Sequence, residues 1–217
     1  MKKIVIFDMD GTLIDSKKDI TVSINYVRAK NHALPPLKEE FVAEAINMHE
    51  RNLSKLFYNT KMYEQHDKEV FEKHYKQQCI KNSKLYDGIY ELLSHLQAQG
   101  VCMGVATNAP THFATIMLQH LNVAHFFTSI VGSNDVKVSK PDPQMLYNIL
   151  DRCQYDKNID SAWMVGDNPK DIEAAYNASI NGVFVTWGFS KECHSASSII
   201  QTPNELLSVI GCDDEIR

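Results

Sequence analysis

The chain begins with an apolar run, Ile4-Val5-Ile6-Phe7, that passes without a break into Asp8-Met9-Asp10-Gly11-Thr12. An uninterrupted apolar run of this length reads as a short strand with both faces buried. Such a strand belongs in a parallel sheet covered by helices. Two carboxylates at its tip have no structural use there. Burying one unpaired carboxylate is costly, and two side by side repel each other, so they need a cation or an electrophile between them. The first ten residues therefore propose an active site at a strand end.

From Asp87-Gly88 onward, helical and strand patterns alternate. Residues 89–99 form an amphipathic helix that stops at Gly100. Strands are expected within 101–107, 126–132, 162–166 and 182–186, and helices over 111–121, 143–152, 170–178 and 203–210. This alternation predicts an α/β fold with a Rossmann-like, doubly wound parallel sheet. Residues 16–85 carry helical periods and no convincing strand. Ile20, Ile24 and Val27 share one face, as do Phe41, Ala45 and Ile46, and again Val70, Phe71, His74 and Tyr75. Pro35-Pro36 separates the first two helices. The expected division is an α/β core of residues 1–15 and 86–217, with residues 16–85 inserted as a helical cap subdomain.

Composition narrows the function classes. The chain has 217 residues, enough for one large domain or a core with an insertion, and 44% are hydrophobic. A net charge of −5 without a local Lys/Arg cluster argues against nucleic acid or an anionic membrane as partner. Met1-Lys2-Lys3 precedes only four apolar residues, too few for a signal peptide. No stretch is long and apolar enough to span a bilayer. The five cysteines, at positions 79, 102, 153, 193 and 212, form no C-x-x-C pair. They are expected as reduced, mostly buried thiols of a cytoplasmic protein, with Cys102 simply core.

Open parallel sheets bind ligands beyond the carboxyl ends of their strands. Asp8 follows IVIF, Thr107-Asn108 follow GVA, Asp167 follows AWMVG, and Ser139-Lys140 come soon after SIVG. These groups should converge on one edge of the sheet. The ordered set DMDGT, Thr107-Asn108, Lys140-Pro141 and GDNPKD (166–171) closely resembles the four motifs of the haloacid dehalogenase-like hydrolase superfamily, and residues 16–85 resemble its C1-type cap. Within that superfamily, DGTLIDS, ATNAP, SKPDP and VTWGF are most similar to the phosphoglycolate phosphatase-like group. The segment 46–51 (INMHER) departs from the glycine-bearing turn usual there, and Ser179 stands where glycine is usual.

The resemblance implies a phosphoric monoester hydrolase. Asp8 is the expected nucleophile, forming an aspartyl-phosphate. Asp10 is the expected general acid, then base, and its presence favours phosphoryl transfer over dehalogenation, where a halide needs no proton. Thr107 offers a hydroxyl and Asn108 a backbone N–H to phosphoryl oxygens at a helix N-terminus. Lys140 neutralises Asp8 and the transferring group. Four carboxylates, Asp8, Asp10, Asp167 and Asp171, oppose that single lysine. Each like-charge contact at about 4 Å costs about 4 kcal/mol at an effective dielectric near 20. A divalent cation removes the conflict, and oxygen-only ligands select Mg²⁺. The implied ligands are Asp8, Asp167 and the Asp10 backbone carbonyl, with Asp171 nearby.

The remaining signals are plainer. Nine histidines contain no H-x-x-x-H pair and no metal site is expected of them. The aromatics of residues 57–75 are read as helix packing. Trp187, after the last expected strand, either borders the site or packs, and both readings stay open. Arg51, in the cap turn, suits a carboxylate or second phosphate on a substrate. The expected partner is a small phosphorylated metabolite, and the expected assembly a monomer or homodimer. A sugar-phosphate mutase, a nucleotidase, a pyrophosphatase and a non-catalytic phosphate-binding protein remain alternatives.

Overall fold

The computed structural model describes residues 1–48, 52–190, 193 and 195–212. In chain order the elements are β1 (Lys3–Phe7), β2 (Ile14–Asp15), α1 (Lys17–His32), α2 (Glu39–Asn47), α3 (Leu53–Tyr58) and α4 (Gln65–Gln78). They continue with β3 (Lys84–Leu85), α5 (Ile89–Ala98), β4 (Cys102–Ala106), α6 (Thr111–His120), β5 (Ser129–Val131) and α7 (Gln144–Arg152). The chain closes with β6 (Ser161–Gly166), α8 (Pro169–Asn177), β7 (Asn181–Val185), β8 (Ser198–Ile200) and α9 (Glu205–Ile210). Two compact units result, one of Met1–Ile14 with Leu85–Arg217, the other of Asp15–Lys84.

In the first unit six strands form one sheet in the order β5-β4-β1-β6-β7-β8. Every pairing is parallel. β1 lies inside the sheet, buried along Ile4–Phe7, which explains a run with no polar alternation. Side-chain parity sends Ile4 and Ile6 to one face. There they pack with Ala106, Val131, Met164, and with Met145, Leu146 and Ile149 of α7 and Ala174, Ala175 of α8. Val5, Phe7, Met103 and Val105 point to the opposite face and are equally buried. The chain runs from β1 outward through β4 to β5 on one side and through β6, β7 and β8 on the other. Crossovers therefore reverse direction at β1, the position where open α/β sheets form their crevice.

Among its described residues the second unit holds four helices. Ile24, Val27, Val42, Ala45, Phe57, Tyr58 and Val70 make its core. Asp19 is fully buried near the start of α1. It accepts hydrogen bonds from Gln78 Nε2 (2.7 Å), the Asn82 backbone and side chain (2.9 and 2.6 Å), and Ser83 N and Oγ (2.8 and 3.0 Å). One carboxylate thus ties the first helix to the segment that follows the last. His32 and Asn31 similarly hold buried Asp67, at 2.9 and 2.8 Å.

Three sequence expectations are corrected. Phe41 is exposed; α2 buries Val42, Ala43 and Ala45 instead, its contact face being rotated by one residue. A sixth strand, β8, lies beyond the last expected one. Three residues after a serine-rich stretch are too few to show a period. Finally, Cys102 and Cys153 are not reduced thiols but a disulfide, with Cα atoms 6.2 Å apart. Cys102 opens β4 and Cys153 caps α7, which packs on that strand. Their separation of 51 residues leaves no local spacing signal. Cys79, Cys193 and Cys212 are buried and take no part in that disulfide. Among the described residues no helix is long and apolar enough to cross a membrane.

Candidate active site

Strand register places the polar residues. Phe7 pairs with Val105 on one side and Val165 on the other, and the Asp8 N–H donates to the Val165 carbonyl at 2.8 Å. Asp8 is therefore level with Ala106 and Gly166, one residue short of Thr107 and Asp167. Neighbouring strands lie about 4.8 Å apart, so groups from distant parts of the sequence meet along one edge.

Lys140 is brought to this edge by the segment between β5 and α7. Its ammonium is buried and donates to Asp8 Oδ1 (2.7 Å), Asp171 Oδ1 (2.7 Å) and the Ala106 carbonyl (2.6 Å). An ammonium has three protons, and all three are directed at protein oxygens. Burial by itself would lower its pKa, but Asp171 and Asp8 outweigh this and raise it, so the group is charged. Asn108 secures the lysine backbone by a two-point contact. Its Oδ1 accepts from Lys140 N (3.0 Å) and its Nδ2 donates to Lys140 O (3.1 Å). This use of the Asn108 side chain was not legible in the sequence. α6 begins only at Thr111, so Thr107 and Asn108 lie in the loop before it rather than in its first turn. The Thr107 hydroxyl accepts from Ala109 N at 3.1 Å, which leaves its own proton to donate.

The GDNPKD segment forms a helix start. Asn168 is the N-cap of α8, its side chain accepting from Lys170 N (3.0 Å), and Pro169 takes the first helical position. Asp171 Oδ2 accepts from Asn168 N (3.0 Å), completing a capping box. The other oxygen of Asp171 is the one that meets Lys140. Asp171 is thus held rigidly by its helix on one side and by the ammonium on the other.

Asp167 is buried and, among the described residues, receives neutral donors: Phe189 N (2.6 Å) and Ser190 N (3.4 Å) at Oδ2, and Thr12 Oγ1 (3.3 Å) at Oδ1. Gly11, at φ +91°, brings the loop after β1 so close that a Cβ there would fall 2.5 Å from Asp167 Oδ2. Burial, then the charges of Asp8 and Asp171, push the Asp167 carboxyl up to about 8, against the pull of the two backbone donors. Oxygens of Asp8, Asp167 and Asp171 lie within 4.8 Å of one another. Three ionised carboxylates against one ammonium would leave a surplus of two negative charges, and the raised Asp167 carboxyl reflects burial and that conflict. An oxygen-only, buried cluster of three carboxylates fits a hard divalent cation such as Mg²⁺.

Asp10 follows Asp8 at the same edge, half-buried, in a single bridge to Ile14. Its side chain is not part of the three-carboxylate cluster. Arg51 lies outside the described residues. Of the loop 187–190 the sequence marks only Trp187, as bordering the site or packing, and not the donors of Phe189 and Ser190 to Asp167. Backbone donors carry no residue signature, although the strand-end rule that located Asp167 applies equally to the residues after β7.

The haloacid dehalogenase-like hydrolase model matches residues 5–185. The chain is 31% identical to the N-acetylmuramic acid 6-phosphate phosphatase of Pseudomonas aeruginosa, covering 97% of each. It is 34% identical to the phosphoglycolate phosphatase of Pectobacterium atrosepticum, covering 85% of this chain and 80% of that one. A crystal structure of a predicted phosphoglycolate phosphatase from Haemophilus somnus superposes with a TM-score of 0.82 at 26% identity, covering 96% and 97% of the two chains. With its motifs gathered on one edge of a parallel sheet and a family match across both halves of that sheet, the chain belongs to the haloacid dehalogenase-like hydrolases.

Proposed function

We propose that this phosphatase hydrolyses a small phosphorylated acid through an aspartyl-phosphate, with Asp8 as nucleophile, Asp10 as general acid and base, and Mg²⁺ as cofactor. The observation that carries the reading is the fixing of Asp8: Lys140 pins Oδ1 at 2.7 Å at the carboxyl end of the central strands, within a buried cluster of three carboxylates. With Oδ1 held, Oδ2 is the attacking atom. As its bond to phosphorus forms, the bond from phosphorus to the leaving oxygen breaks, and Asp10 gives that oxygen a proton. Asp10 then takes a proton from water, which attacks phosphorus, releases phosphate and restores Asp8. The Thr107 hydroxyl and the Asn108 backbone N–H serve the phosphoryl oxygens. Because the Lys140 donors are taken by Asp8, Asp171 and Ala106, its charge reaches the substrate through the carboxylate it orients. Asp8, Asp167 and the Asp10 carbonyl would hold Mg²⁺, with Asp171 beside them; bound there, the ion offsets carboxylate and phosphoryl charge.

The substrate class rests on the relatives. Phosphoglycolate and N-acetylmuramic acid 6-phosphate, the substrates named for two of them, are both phosphorylated acids. The helical unit is proposed to act as the cap that selects the substrate, with Arg51 meeting the acid group. A cytoplasmic location is part of the same proposal, and the disulfide removes the cysteine argument for it.

The test is phosphate release from a panel of phosphorylated metabolites with Mg²⁺, for the native chain and Asp8→Asn. The expected result is strongest turnover on phosphorylated acids and none in the folded variant. Turnover by Asp8→Asn in a clean preparation refutes the covalent mechanism.

A further inference from the structure

Trp187 is the second residue after β7, and its indole Nε1–H donates to the Thr12 carbonyl at 3.0 Å. The two residues after Gly188, Phe189 and Ser190, give their backbone N–H groups to Asp167 Oδ2. From the opposite side Thr12 Oγ1 donates to Asp167 Oδ1. Both oxygens of Asp167 are therefore gripped, one by the loop after β7 and one by the loop after β1. Trp187 joins those two loops by a side-chain hydrogen bond. The packing leaves no slack between them: a Cβ on Gly188 would fall 2.3 Å from Asp167 Cβ and 2.4 Å from the Gly11 carbonyl oxygen.

We infer that Trp187 is a positioning residue for Asp167: its hydrogen bond to Thr12 locks the loop after β7 onto the loop after β1 and so sets the orientation of the carboxylate that faces Asp8 and Asp171. The inference rests on the reading of those three carboxylates as a cation site. It requires nothing of the substrate or of the phosphoryl chemistry. Partners that orient a ligating carboxylate commonly govern metal affinity, so the loss of one indole N–H should be felt as weaker cation binding rather than as slower chemistry once the cation is bound.

The test is Trp187→Phe, which keeps an aromatic ring and removes the donor. Mn²⁺ binding to the substrate-free protein is followed by the paramagnetic resonance of free Mn²⁺, and the Mg²⁺ concentration for half-maximal phosphate release is measured beside it. The expected result is a Kd for Mn²⁺ raised about tenfold, the low end for the loss of such a partner. kcat at saturating Mg²⁺ should stay within about twofold, and the Tm in chelator should be close to the native value. A lowered Tm with unchanged Mn²⁺ affinity would make Trp187 a packing residue only and overturn the inference, leaving the cation site standing. If the native chain binds no Mn²⁺, the cation site itself fails and the inference with it. Should Trp187→Phe not fold, the indole proton of Trp187, assigned through its backbone in the native chain, is observed by NMR during a Mg²⁺ titration. It is expected to shift with the Kd of the ion. A resonance that stays fixed while Mg²⁺ binds overturns the inference.

Discussion

Lys140 Nζ lies 2.7 Å from Asp8 Oδ1 and 2.7 Å from Asp171 Oδ1, so one buried ammonium holds two carboxylates from distant parts of the chain. Lys140→Met keeps an unbranched side chain one atom shorter and removes the charge. Removing one partner of a buried pair costs about 3–5 kcal/mol, and loss of a charge aimed at the reacting group costs about a hundredfold or more in kcat. Thermal melts in chelator and steady-state kinetics check this. A variant of native stability and near-native kcat would remove Lys140 from the centre of the site.

Asp10→Asn should fail differently from a loss of the nucleophile. Without a proton donor, a poor leaving group suffers more than a good one. The expected outcome is a larger loss of kcat/KM on an alkyl phosphate than on an aryl phosphate. Equal losses on both argue against protonation by Asp10.

The Asp167 carboxyl is raised above the ordinary carboxylate range to about 8. The native apo protein therefore holds a proton that the unfolded chain has released. Its stability in chelator should fall as pH rises from the ordinary carboxylate range toward 8. Mg²⁺ competes with that proton, so its stabilising effect should be larger at pH 8 than at pH 5. Melts at both values, with chelator and with Mg²⁺, check the sign, and Asp167→Asn should flatten the dependence. Ca²⁺ should inhibit, since its looser coordination lets Asp8 bind through both oxygens.

In the helical unit, burial pushes the Asp19 carboxyl up, but its hydrogen bonds from Asn82, Gln78 and Ser83 outweigh this and hold it below the usual range. Asp19→Ala strands these donors and should cost at least about 3 kcal/mol of stability. Because the native pKa is depressed, the contribution of Asp19 is present above the ordinary carboxylate pKa and lost as pH falls below it. Denaturant melts of native and variant at neutral and acid pH check both points. A difference that does not shrink on acidification contradicts the account.

Arg51→Ala is expected to raise KM for the best acidic substrate about tenfold, or about 1.4 kcal/mol. Turnover of a generic aryl phosphate lacking an acid group should change little. If both suffer alike, Arg51 supports the fold rather than selectivity.

The sequence alone determined the class of fold and the edge that matters. IVIF, AWMVG and the alternating helices dictate a parallel sheet because each strand must bury two faces, and strand ends are where a parallel sheet leaves polar groups room. That rule brings Asp8, Thr107, Lys140 and Asp167 to one edge, while Asp171 is marked only by the motif that resembles the family's. Tertiary structure decided what those residues touch. The pairing of Lys140 with both Asp8 and Asp171, the grip of the Asn108 carboxamide on the Lys140 backbone, and the closure of the 187–190 loop over Asp167 are contacts between segments far apart in the chain. The same is true of the Cys102–Cys153 bond and of the one-residue rotation that exposes Phe41. Periodicity records which way a side chain faces within its own element. It carries nothing about the register of one element on another, and that register chooses the partners.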